Sequence, residues 1–110
     1  MINAVFYRNQ DFEITGFSIS GHADFDDFGK DIVCAAVSSM SSLVVNTLEE
    51  VFGCGGSLDV ADSGNLSYTL PRSKVGDKAI GGILEGFRLQ MEDYSSQYPK
   101  NIKISLKDSK

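Results

Sequence analysis

Apolar positions along the chain change period several times, and each change marks an element. Residues 2–7 (INAVFY) are rich in β-branched and aromatic side chains and predict a strand. Arg8-Asn9-Gln10-Asp11 is a polar turn. Over residues 12–20, Phe12, Ile14, Phe17 and Ile19 fall mostly two apart, the period of a strand, and Gly16 marks a bulge or a slip in phase. The two strands form a hairpin whose end delivers Gly21 and His22. From 31 to 52 the period becomes helical: Val33, Ala36, Val37, Met40, Val44, Leu48 and Val51 recur at steps of three and four. Ile32, Leu43, Val45 and Phe52 widen the apolar face to most of the circumference, which predicts a largely buried helix. Its serines, Ser38, Ser39, Ser41 and Ser42, are expected to be exposed or bonded back to helix carbonyls.

Gly53 suits a left-handed helix cap, and Cys54 follows in a glycine-rich turn where a structural role is expected. Residues 57–62 and 65–70 read as short strands joined by Asp62-Ser63-Gly64 and closed by Pro71. Gly76 or Asp77 caps a second helix running to about Tyr98, with a stripe of Ile80, Ile83, Leu84, Phe87, Leu89, Met91 and Tyr94. Gly81-Gly82 and Gly86 weaken a helix interior and imply close packing against a neighbouring element. Residues 101–106 (NIKISL) alternate as a last strand. The order β-β-α-β-β-α-β predicts an α+β fold, an antiparallel sheet with two helices packed on it.

A chain of 110 residues makes one domain, 1–110, large enough for a core of its own. The formal net charge of −5 excludes general nucleic-acid binding, which needs a basic footprint, and suits a basic partner. No signal peptide is visible, and no apolar run is read as a membrane helix. Two cysteines are too few for a secreted disulfide scaffold. A helix over 31–52 would hold Cys34 and Cys54 about 30 Å apart, against the ~7 Å limit for a disulfide. Both read as free thiols in a reducing cytoplasm.

The stretch GHADFDDFGKDIVCAAVS, residues 21–38, holds the chemistry. It contains the only histidine, His22, and places Cys34 about one turn inside the helix start. Unpaired N–H groups there attract negative charge, and the thiolate is the reactive form of cysteine. His22, mounted at a strand end, can take the thiol proton and pass it to a leaving amine. The backbone N–H of Cys34 is a candidate oxyanion donor. Asp31 either caps the helix or orients His22 as the third member of a triad. Gly21 gives close approach to His22, and Ser38, one turn beyond Cys34, either supports the site or bonds a helix carbonyl.

The spacing Gly21-His22-Ala23, an acidic and aromatic loop, then Gly29-x-Asp31-Ile32-x-Cys34-Ala35-Ala36-x-Ser38 closely resembles the ribosomal-processing cysteine protease family (Prp). Length and element order carry the resemblance across nearly the whole chain. It implies a cytosolic bacterial endopeptidase without a cofactor. Such an enzyme removes the N-terminal extension of a large-subunit ribosomal protein, cutting after an aromatic residue, and is a homodimer. His22 and Cys34 would be catalytic, with Gly21, Asp31 and Ser38 in support.

The loop 23–30 carries Asp24, Asp26 and Asp27 with Phe25 and Phe28. The phenylalanines either pack on the core or close over an apolar substrate as a lid hinged at Gly29. The acids do not make a calcium loop, since the later glutamate and the regular alternation are missing, and no metal is expected. A rival reading is a non-catalytic acidic adaptor for ribosome assembly in which Cys34 is buried and inert. A thiol redox or acyl-transfer enzyme is a third, and the lack of a resolving cysteine nearby weighs against its redox form.

Overall fold

The structure is a computed structural model that describes residues 1–27 and 30–109. Phe28 and Gly29, and with them the second lid aromatic and the expected hinge, lie outside the described residues. Strands β1 (Ile2–Arg8) and β2 (Ile14–Ser20) form the expected hairpin. β2 starts later than its apolar pattern suggested. Asn9 Oδ1 accepts from the N–H groups of Asp11 and Glu13, and the tight turn leaves Phe12 at φ 61° and 74% exposed. Gly16 pairs with Tyr7 while Arg8 pairs with Ile14, so the slip in phase is a bulge at Thr15. Then follow α1 (Ile32–Asn46), β3 (Ser57–Val60), β4 (Leu66–Thr69), α2 (Lys78–Gln97) and β5 (Ile102–Asp108).

The fold is α+β with the expected element order, and its sheet runs β3-β4-β2-β1-β5. One pairing departs from the antiparallel sheet expected: β5 lies parallel to β1, so the sheet is mixed. The cause is α2, whose 20 residues span ~30 Å, enough to carry the chain back along the full length of a seven-residue strand. β5 therefore starts at the same end as β1. Asp77 caps α2 by accepting from Ala79 and Ile80.

Strand alternation sends Ala4, Phe6, Phe17, Tyr68 and Ile102 to one face, where the helices bury them. Phe6 and Phe17 meet Phe87 edge-on at 5.4 and 5.0 Å. Val33, Val37, Val44 and Val45 supply the core side of α1, and Ile80, Leu84 and Met91 that of α2. Gly81, Gly82 and Gly86 have nothing within 4 Å of where a Cβ would stand, so close packing does not explain them.

α1 is buried on one side only. Ile32 is 61% exposed, Leu43 66% and Val51 73%, which corrects the expectation of a largely buried helix. With its continuation, α1 is also as long and apolar as a membrane span (Ile32–Val51, mean hydropathy 1.4), a length the sequence reading did not credit. Its inward valines belong to the one buried cluster that also holds the sheet's Phe6 and Phe17. Its last turn, Thr47–Val51, widens to a π-helix. Leu48 stays in the core, while the carboxylate of Glu49 accepts from the Tyr68 hydroxyl (2.8 Å) and the Gly56 N–H (3.1 Å). Burial, reinforced by Glu49, raises the Tyr68 pKa.

Candidate active site

β2 ends at Ser20, and the next three residues leave the sheet. Gly21 takes φ +82°, and a side chain there would collide with the carbonyl of Met1, so glycine is required twice over. His22 is exposed. Ala23 is fully buried, and both its backbone polar groups are occupied. Its N–H donates to Cys34 Sγ at 3.2 Å, and its carbonyl accepts from Asn101 Nδ2 at 2.8 Å. The Gly21 N–H donates to Asn65 Oδ1 at 3.1 Å.

Asp31 is the N-cap of α1. Its Oδ1 accepts from the N–H groups of Val33 (3.0 Å) and Cys34 (2.9 Å). Its Oδ2 accepts from Phe25 (3.0 Å) and Asp26 (3.4 Å), tying the loop to the helix start. Desolvation pushes its pKa up, but the amides of Cys34, Phe25 and Asp26 outweigh it, and the net direction is down. Both oxygens are therefore engaged by amides. The Cys34 N–H, offered by the sequence as an oxyanion donor, is engaged by this cap, and the amide that faces the sulfur belongs to Ala23.

A cavity of about 620 Å³ opens between the end of β2, the first turns of α1 and the β3–β4 turn. Ile2, His22, Cys34, Ala35, Ser38 and Ser63 line it. The half-buried thiol and the only histidine thus share one chamber, without a direct hydrogen bond between them among the described residues. Ser38 stands on its wall with an exposed side chain, and it is the buried Ser41 that bonds a helix carbonyl, that of Val37 (2.9 Å). Phe25 is not among the lining residues. It is 45% exposed and stands edge-on to Tyr98 at 5.4 Å. A slightly larger concavity, about 690 Å³, lies elsewhere, around Tyr7, Gly16, Thr69 and Lys107. Neither a cysteine nor a histidine is among its described lining residues. Cys34 and Cys54 are both free, and burial raises the Cys54 pKa.

The sequence profile described as cysteine protease Prp matches residues 1–103. The chain belongs to this family. It is accordingly a cysteine peptidase. The ribosomal processing cysteine protease Prp of Bacillus subtilis (strain 168) is 30% identical over 109 residues, 96% of either chain. Prp from S. aureus, solved with a covalently linked product peptide, superposes with a TM-score of 0.89 at 23% identity, over 97% of this chain and 100% of that one. SMU.848 from Streptococcus mutans superposes with a TM-score of 0.86 at 29% identity, over 99% and 96%. The Prp fold is thus common to chains that share under a third of their residues.

Sequence reasoning missed Asn65, Asn101 and Ala23. Each asparagine follows a turn signal, Ser63-Gly64 or Pro99, and reads locally as a strand start. Only the folded chain brings both to the two sides of His22.

Proposed function

We propose that Cys34 and His22 form the catalytic pair of an endopeptidase that removes the N-terminal extension of a bacterial large-subunit ribosomal protein. One observation carries the pair: the only histidine and a half-buried free thiol line a single cavity. Family membership, with relatives named for ribosomal processing, supports the substrate. His22 takes the thiol proton as Sγ attacks the scissile carbonyl carbon. The C–N bond then breaks, and the amine leaves with that proton, giving a thioester. Water, deprotonated by His22, attacks the thioester, releasing the acid and restoring the thiol. The Ala23 N–H, 3.2 Å from Sγ, is a backbone donor already turned toward the reacting centre. Gly21, Asp31 and Ser38 support this pair: Gly21 by its backbone, Asp31 by its cap, Ser38 on the cavity wall. Phe25 and Phe28 are the substrate contacts in this reading; Phe25 stands outside the cavity lining in this conformation and must move to reach a bound peptide.

The whole chain, 1–110, is one cysteine-protease domain that acts in the cytoplasm, as a homodimer, with no nucleic acid or membrane as partner. Support for the dimer is the exposed apolar side of α1, where Ile32 and Leu43, three turns apart, share a face. The test is incubation with a peptide spanning the extension of the host ribosomal protein, products being read by mass spectrometry. A single cut after an aromatic residue, lost in Cys34→Ser and in His22→Ala, is expected. No cut, together with slow alkylation of Cys34 at neutral pH, would instead leave a non-catalytic adaptor.

A further inference from the structure

His22 sits where the sheet no longer holds the backbone. The β1–β2 pairing ends at Asn3 and Ser20, and the β2–β4 pairing ends at Ile19 and Leu66. Backbone polar groups beyond that point need other partners. We propose that Asn65 and Asn101 are positioning residues that clamp the backbone on either side of His22 and thereby fix both the imidazole and the amide facing the Cys34 sulfur. Asn65, from the β3–β4 connection, takes the Gly21 N–H (3.1 Å), and Asn101, from the α2–β5 connection, gives its Nδ2–H to the Ala23 carbonyl (2.8 Å). Asn101 is itself anchored. Its N–H donates to the Tyr98 carbonyl (2.9 Å), and its carbonyl accepts from the Ile2 N–H (2.8 Å). Between the two clamps, the Ala23 N–H points at Sγ.

The two side chains use opposite halves of the same amide. Asn65 must accept, because its partner is an N–H. Asn101 must donate, because its partner is a carbonyl. Aspartate therefore suits position 65, keeping the acceptor, and fails at 101, where a carboxylate would face the Ala23 carbonyl oxygen. A purely structural role predicts that asymmetry in thermal stability alone, whereas a positioning role predicts it in kcat of the folded enzyme. Ala23 has no room to give, since it is fully buried. A base held at a strand end loses rate steeply when it is displaced from its nucleophile by even an ångström.

The inference rests on the assignment of Cys34 and His22 above. Its test is steady-state cleavage of the same extension peptide by the full chain, with thermal midpoints measured alongside. Asn101→Leu and Asn101→Asp are expected to lower kcat roughly 10–100-fold, a displacement effect, with KM nearly unchanged. Asn65→Leu lowers kcat in the same way, and Asn65→Asp rescues it. Wild-type kcat in Asn101→Asp, or equal damage in Asn65→Leu and Asn65→Asp, overturns the proposal. So do losses that only follow the unfolded fraction at the assay temperature. If Cys34→Ser and His22→Ala still cut the peptide, the catalytic assignment itself falls. If those two are dead and every asparagine variant keeps its kcat, only the clamp falls.

Discussion

Asp31 does two jobs with two oxygens. One caps α1, and the other holds the loop amides of Phe25 and Asp26. Its carboxyl is held below its ordinary 3.8, so the native state favours the charged form. The stabilisation is complete above that value, which the unfolded chain keeps, and is lost as pH falls from it through the lower native one. An asparagine side chain at this position would still cap, but its NH₂ group would face the loop amides. Asp31→Asn is therefore expected to lower the thermal midpoint at neutral pH, with the gap to wild type narrowing below about pH 4 as the wild-type carboxyl protonates. Melting curves of both proteins across pH 3–7 check this. A pH-independent gap would contradict it. The cap was legible in the sequence, three residues before Cys34. The second set of bonds was not, because it depends on how the loop folds back.

At the scale of elements, the glycines of α2 and the wide turn after α1 give two contrasting expectations. Gly82 and Gly86 are exposed, with open space where a Cβ would stand. Gly82→Ala and Gly86→Ala should each stabilise by about 0.5–1 kcal/mol, through the lower entropy of the unfolded chain. Denaturant midpoints read this directly. Tyr68→Phe should do the reverse. It removes the hydroxyl that bonds Glu49 and leaves that carboxylate with the Gly56 N–H. A hydrogen bond to a charged group contributes about 1.5–3 kcal/mol, so a loss of that order is expected in the same titration. Sequence periodicity found both helices but assigns Glu49 no role. Its purpose appears only with Tyr68 beside it, nineteen residues away.

At the scale of the molecule, the homodimer proposed above has one candidate surface, the exposed apolar side of α1. A dimer formed there would bury Ile32 and Leu43, which monomeric packing leaves 61% and 66% exposed. Leu43→Asp is expected to convert a dimer to a monomer by light scattering, because a carboxylate without a partner is costly to bury. An unchanged mass would move the interface elsewhere. The same whole-molecule view explains the sheet. The alternating run 101–106 identifies β5, but its direction beside β1 follows from the length of α2 and the face it covers.

Local patterns determined what could be determined locally. Alternation and helical spacing set the elements and their order, Asp31 and Asp77 marked the helix starts, and His22 with Cys34 stood out as the candidate pair, because each of these signals depends on near neighbours. The tertiary structure decided everything that joins distant segments: the parallel β1–β5 pairing, the exposed side of α1, the Glu49–Tyr68 bond, and the convergence of Asn65 and Asn101 on the residues around His22. The physical reason is that propensity and capping act over a few residues, whereas burial and long-range hydrogen bonds exist only once the chain has closed.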